Sequence, residues 1–83
     1  MVTYSVIIRM LDRTETTLVT RHKSHAGNLL SHLPENYNWV HITIAYKPGI
    51  INEGKYTYHQ KEMMLKAWHE WTSPDLVKSA IEF

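Results

Sequence analysis

Residues 38–46 read NWVHITIAY, and their side chains alternate between two different sets. The alternating positions are Val40, Ile42, Ile44 and Tyr46 in one set, and Trp39, His41, Thr43 and Ala45 in the other. A period of two over this length predicts a β-strand with two distinct faces. The first set is typical of a buried core. The second combines an indole, an imidazole and a hydroxyl group, so it marks the face where function is to be sought.

Two strands and a helix are predicted before this stretch. Residues 3–11 and 16–21 have high strand propensity and flank a polar turn at 12–15, which indicates a hairpin. Ser24 is predicted to cap the helix that follows, and Pro34 is predicted to end it. The apolar face of this helix consists of Ala26, Leu29, Leu30 and Leu33.

Turn signals dominate the chain directly after the opening stretch. Pro-Gly at 48–49 and Asn-Glu-Gly at 52–54 each predict a turn, and a short loop is predicted between them. Residues 55–58 predict a short fourth strand. The pattern then becomes helical over 59–71, with an apolar stripe of Met64, Ala67, Trp68 and Trp71 that Leu65 widens. Ser-Pro-Asp from residue 73 predicts the start of a last helix.

The predicted order of elements is β-β-α-β-(β)-α-α in one domain spanning residues 1–83. This order favours a small α+β fold with two layers, in which helices cover one face of a mainly antiparallel sheet of three to four strands. The opposite face of such a sheet is open to solvent or to a partner.

Composition excludes several classes of protein. The 83 residues contain no cysteine, so disulfide frameworks and thiolate metal sites are excluded. The formal net charge of +1 is far from that of a dedicated nucleic-acid binder. No apolar run is long enough for a membrane span, and the N-terminal residues lack the order of a signal peptide. A cytoplasmic protein with no cofactor, no metal and no membrane partner is therefore expected.

The open face of the predicted sheet is the first candidate site. If the apolar set points towards the helices, Arg9, Arg21, Trp39, His41 and Thr43 point outwards together. Guanidinium groups bind phosphate and aromatic planes stack on unpaired bases, which would suit single-stranded RNA or DNA. Tryptophan and arginine are also preferred anchors in protein interfaces. An ordinary solvated sheet face is the remaining interpretation.

A basic run, Arg21, His22 and Lys23, precedes the first predicted helix. Cationic side chains and free backbone N–H groups at a helix N-terminus suit a phosphate or a carboxylate. A solvated turn explains the same run equally simply. The six histidines of the chain also raise the question of metal binding, but their spacing predicts no metal site.

The segment His41-Ile42-Thr43-Ile44 resembles the His-x-Thr/Ser signature of two-histidine phosphoesterases. The resemblance implies that His41 acts as acid and base and that Thr43 binds phosphate. That family uses two such motifs, and the second candidate here is His22-Lys23-Ser24.

These observations favour a small non-enzymatic binding module that acts by occupying the surface of a macromolecular partner, most readily a protein. In size and composition the chain looks like the small inhibitor and accessory proteins of phages and mobile elements. The alternatives are a module that binds single-stranded RNA or DNA through the basic and aromatic sheet face, and a phosphoesterase-like enzyme centred on His41 and Thr43. A homodimer also remains open.

Overall fold

A computed structural model describes residues 2–46 and 49–72 of the chain. In it the strands β1 (Val2–Met10), β2 (Glu15–Thr20), β3 (Tyr37–Tyr46) and β4 (Gly49–Thr57) form one antiparallel sheet in the order β2-β1-β3-β4. Helix α1 (Lys23–Ser31) connects β2 to β3, and helix α2 (Lys61–Trp71) follows β4 after a short 3₁₀ turn. The predicted α+β class and the antiparallel sheet of four strands are confirmed.

The core lies between one face of the sheet and the two helices. The buried residues are Tyr4, Val6, Ile8, Ala26, Leu30, Tyr37, Val40, Ile42, Ile44, Met64 and Trp68. Trp68 of α2 packs edge-on against Tyr4 of β1, with ring centroids 5.6 Å apart. Both helices therefore cover the same sheet face, as predicted, and Val40, Ile42 and Ile44 of the opening stretch lie in the core.

The hairpin between β1 and β2 turns on a residue with a positive φ angle. Arg13 has a φ of 74°, and its backbone N–H donates to Met10 O at 3.1 Å. Thr14 donates to Asp12 Oδ1 through both its backbone N–H, at 3.0 Å, and its hydroxyl group, at 2.6 Å. These bonds pull the pKa of the Asp12 carboxyl below its usual value, with the hydroxyl group as the largest cause.

Helix α1 begins two residues earlier than predicted. Its N-cap is His22, whose side chain makes no capping hydrogen bond, so the prediction that Ser24 caps the helix is wrong. Ser24 instead lies in the first turn. The predicted apolar face is confirmed for Ala26 and Leu30, which are buried, and for Leu29, which packs against the core. The helix ends at Ser31, three residues before Pro34, so Leu33 packs against the core from the segment that follows the helix.

The segment after β3 departs most from the prediction. Residues 52–54, predicted as a turn, lie inside β4, which spans nine residues instead of the four predicted at 55–58. The pairing of β3 with β4 shifts between Ile44 and Ala45, so that Ile51 is left out of the ladder as a β-bulge. Gly54 pairs with Ile42 in the middle of the strand.

The close approach of two aromatic side chains explains a glycine inside this strand. A Cβ atom at residue 54 would lie 2.7 Å from Tyr56 Oη and 2.8 Å from Trp71 Cη2. Gly54 therefore serves packing and makes no turn.

Helix α2 has the predicted apolar stripe but begins at Lys61, after the 3₁₀ turn Tyr58–Gln60. No helix in the described part of the chain is long and apolar enough to span a membrane. The last helix predicted from residue 73 lies outside the described residues.

Candidate binding surface

The register of the four strands sets the composition of the sheet face that the helices leave uncovered. We call this surface the open face, and it consists of Ser5, Ile7, Arg9, Glu15, Thr17, Val19, Trp39, His41, Thr43, Glu53, Lys55 and Thr57. Trp39 lies directly opposite Arg9 on one side and Thr57 on the other. Of the predicted outward set, Arg9, Trp39, His41 and Thr43 are therefore brought together on one surface, because the pairing of β1 with β3 stays in register as far as Arg9 and Trp39.

Trp39 is the largest side chain of the open face, and it is only half-buried there. The Lys55 ammonium group lies over its indole ring, with Nζ 4.1 Å from the ring centroid. A cation at this distance is attracted to the face of the ring and contributes about 0.5–1 kcal/mol at an exposed site. The contact covers one face of the indole and holds both side chains in place.

Two contacts on the open face join a basic side chain to a carboxylate. Arg9 Nη1 lies 3.5 Å from Glu15 Oε2 and also donates a hydrogen bond to Arg13 O at 3.0 Å. His41 Nε2 lies 3.6 Å from Glu53 Oε2. The two cations Arg9 and Lys55 balance the carboxylates of Glu15 and Glu53, so these four groups give the face no net positive charge to attract a phosphate backbone.

A cleft of about 410 Å³ opens at one end of the sheet, next to the open face. It is lined by Leu11, Glu35, Tyr37, Asn38, Thr57, Tyr58 and His59. Thr57 belongs to both surfaces, so the cleft continues from the position of Trp39. Leu11, at the end of the hairpin, is 65 % exposed. The cleft therefore offers apolar area beside the indole.

Tyr37 lines the inner side of the cleft. Its ring is buried and lies 5.5 Å from the ring of Tyr58, and no group in the described part of the chain makes a hydrogen bond with its hydroxyl oxygen. Burial is the main reason that the pKa of Tyr37 is raised, with a smaller contribution from Tyr58. Tyr37 thus supports the cleft with its ring and keeps a neutral hydroxyl group.

The basic run lies elsewhere in the molecule. Arg21 follows the last residue of β2, whereas Arg9 pairs with the first residue of that strand. At about 3.4 Å per residue, this places the two arginines roughly 20 Å apart along the sheet. The structure therefore brings Arg9 together with Trp39, His41 and Thr43, and leaves Arg21, His22 and Lys23 at the junction of β2 and α1.

His22 and His25 come close at that junction, with ring centroids 4.9 Å apart. Both are exposed, and the first turn of α1 contains no acidic residue. Within residues 2–46 and 49–72, no three histidine, aspartate or glutamate side chains converge as a metal site would require.

His41 and Thr43 lie on the same face of β3, as the phosphoesterase resemblance implies. Glu53 pairs with Thr43 in the ladder and reaches His41, so a carboxylate is available to orient the imidazole. Such an arrangement can hold and move a proton. On the four described strands, His41 is the single histidine of the open face.

Sequence reasoning missed Glu53, Lys55 and the cleft. The signal for the first two was present, because Glu53, Lys55 and Thr57 alternate with Asn52, Gly54 and Tyr56 in the manner of a two-faced strand. The Asn-Glu-Gly sequence at 52–54 favoured a turn instead, so the alternation was not interpreted as a strand. The cleft joins residues from three separate segments and has no signature in the sequence.

Comparisons of the chain with models of protein families, with curated proteins and with solved structures gave no match.

Proposed function

We propose that this chain is a non-enzymatic binding module that docks a protein partner on the open face, with Trp39 as the central anchor. The observation that carries the proposal is the Lys55–Trp39 contact, surrounded by the ion pair of Arg9 with Glu15 and the contact of His41 with Glu53. A large aromatic side chain within a rim of polar groups is the usual anatomy of an energetically important interface residue.

The balance of charge favours a protein over a nucleic acid as the partner of this face. Binding to a phosphate backbone depends on cations that are free to release counterions. Arg9 is engaged by a carboxylate and Lys55 by an indole ring. The apolar area of the adjoining cleft suits a protein side chain placed next to Trp39. A module of this kind acts by covering the surface of its partner, as an inhibitor or an accessory protein does.

A second candidate, binding of single-stranded nucleic acid, is supported by a different observation. Arg21, His22 and Lys23 are all exposed, and none has a carboxylate within 4.0 Å among the described residues. This run would then bind phosphate groups by itself, with no contribution from Trp39.

The test uses the tagged full chain as bait in a cell lysate treated with nuclease, followed by affinity measurements with the protein that is captured. Trp39→Ala should weaken that affinity about thirtyfold, since loss of a central anchor costs about 2 kcal/mol or more. Met63→Ala is the matched control, because Met63 is a large apolar residue that is 59 % exposed on α2, in the helix layer. It should bind within about twofold of the unaltered chain.

Two outcomes would contradict the proposal. Equal affinity of the Trp39→Ala and Met63→Ala variants would remove the open face from the interface. Capture that disappears with nuclease, survives Trp39→Ala and falls with Arg21→Ala would identify the basic run and a nucleic acid instead.

A further inference from the structure

Strand β2 is an edge strand of the sheet formed by the described residues. It lies at one end of the order β2-β1-β3-β4, and no strand in residues 2–46 or 49–72 pairs with its outer edge. Along such an edge, alternate backbone N–H and C=O groups point away from the sheet and can join another strand.

The two edge strands of this sheet, β2 and β4, differ in how well their sequences suit pairing with another strand. Strand β4 contains a bulge at Ile51 and carries Glu53 and Lys55, and bulges and charges are the usual means of preventing strand pairing. Strand β2 pairs with β1 in unbroken register, and residues 16–20 are uncharged and of high strand propensity. The chain therefore protects one edge and leaves the other ready for pairing.

Two copies of strand β2 can pair antiparallel with opposite charges facing each other. Residues 15–21 read ETTLVTR, with a carboxylate at one end and a guanidinium group at the other. If two copies pair antiparallel with Leu18 opposite Leu18, then Glu15 of each copy lies opposite Arg21 of the other. The residues between them pair as Thr16 with Thr20 and Thr17 with Val19.

This register also keeps the two faces of the sheet distinct. Residues directly opposite each other in an antiparallel pair point to the same side, and every pair in this register joins two odd or two even positions. Val19, which is 62 % exposed on the open face, would be covered beside Thr17 of the second copy. Leu18, half-buried at the margin of the helix layer, would meet its own equivalent.

Shifting the two-fold axis by one residue loses this complementarity. An axis at Thr17 places Glu15 opposite Val19, and an axis at Val19 places it opposite Lys23, which already belongs to α1. Of these three registers, the one centred on Leu18 joins both ends of the ladder through opposite charges, which favours it over its neighbours.

We propose that the outer edge of β2 is the docking site for a second copy of this chain, in an antiparallel pair centred on Leu18. The two sheets then form one continuous sheet about a two-fold axis, with Glu15 of each copy paired to Arg21 of the other. Glu15 already lies 3.5 Å from Arg9 on its own sheet, so it becomes the carboxylate between two guanidinium groups.

The proposal goes beyond the binding of a protein partner, because it uses the backbone edge of β2 and not the open face. It also has a consequence for that function. The two-fold axis leaves both open faces on the same side of the joined sheet, where they can engage a partner with two equivalent sites.

The experiment measures dimerisation of the full chain by sedimentation equilibrium over a range of concentrations. One short strand per copy forms a small interface, so a weak dimer that dissociates on dilution is expected. Arg21→Glu and Glu15→Arg each replace both opposite-charge pairs with like-charge pairs, and each should weaken the dimer about tenfold or more.

A mixture of these two variants provides the decisive measurement. One copy then has glutamate at both positions and the other has arginine at both, so the mixed dimer regains two opposite-charge pairs. Its dissociation constant should return to within about threefold of that of the unaltered chain. The matched controls are Lys66→Glu and Glu70→Arg, which make the same charge changes at exposed positions of α2 and should dimerise normally.

Three results would overturn the proposal. The first is an unaltered chain that stays monomeric at concentrations up to about 1 mM, where even a weak association would be visible. The second is a dimer that Arg21→Glu leaves unchanged. The third is a mixture of variants that associates no better than either variant alone. Circular dichroism of each variant confirms that it is folded, and Arg21→Glu, which alters an exposed residue beyond the strand, carries the test if Glu15→Arg does not fold.

Discussion

The side chain of Asp12 stabilises the turn of the hairpin between β1 and β2. Residues on either side of this turn belong to the open face and to the cleft. The Oδ1 atom of Asp12 accepts two hydrogen bonds from Thr14, and these lower the pKa of the carboxyl group. A carboxyl whose pKa is lower in the folded than in the unfolded chain stabilises the fold only when it is ionised. The contribution is therefore present above the pKa of the unfolded chain, about 3.9, and is lost as pH falls through the lower pKa of the folded chain.

Thr14→Val tests this role. Valine keeps the shape of the side chain but removes the hydroxyl donor, which is the largest cause of the shift, so the pKa of Asp12 should rise towards its usual value. NMR titration of the carboxyl group measures the change directly. The difference in stability between the two proteins should be largest above about pH 4 and should vanish in stronger acid. An unchanged pKa would show that the hydroxyl bond does not form in solution.

At the scale of the element, β4 decides the composition of the site. Its central residues include a glycine and an asparagine, both of which are rare in strands, and this is why local propensity predicts a turn there. The strand forms nevertheless because eight of its nine residues pair with β3 and because the rings of Tyr56 and Trp71 fill the space above Gly54. Tertiary packing therefore overrides the local signal.

Substitution by alanine is expected to have opposite effects on stability at Gly54 and at Gly27. Gly54→Ala should destabilise the protein by about 1–3 kcal/mol, because its methyl group would overlap the two aromatic rings. Gly27→Ala should stabilise it by up to about 1 kcal/mol, since a methyl group at that position in α1 would meet Trp68 Nε1 at an ordinary 3.5 Å. Denaturant unfolding measures both. Equal effects of the two substitutions would show that Gly54 does not lie under the aromatic rings.

On the scale of the whole molecule, the sheet is strongly asymmetric. One face holds the core against two helices, and the other carries Trp39 and the paired charges. Neighbouring residues of β3 consequently make very different contributions to stability. The proposed binding surface contributes little to folding, so its residues can change without loss of the structure.

Ile42 and Thr43 test this asymmetry. Ile42→Val should reduce the free energy of unfolding by about 1 kcal/mol, because it removes a methylene group from the fully buried centre of the core. Thr43→Val, its neighbour on the open face, should change stability by less than about 0.5 kcal/mol. Thermal or denaturant unfolding distinguishes the two, and a larger effect at Thr43 would mean that the open face is itself packed against another part of the chain.

The sequence by itself determined the class of the fold and the two faces of β3. Strict alternation in residues 38–46 assigns Ile42 to the core and Trp39, His41 and Thr43 to the opposite face, because side chains of a strand point alternately to its two sides. The apolar spacing of α1 and α2 likewise identified the helix faces that are buried. These features follow from the local periodicity of the sequence, to which every residue of each element contributes.

Only the tertiary structure decided which side chains meet on the open face. Lys55 lies over Trp39 and Glu53 beside His41 because of the register between β3 and β4, and Arg21 is separated from Arg9 because they lie at opposite ends of β2. Register and strand order depend on contacts between residues far apart in the chain. A local pattern of residues indicates the face to which each side chain points. It does not indicate which side chains of other strands will lie beside it.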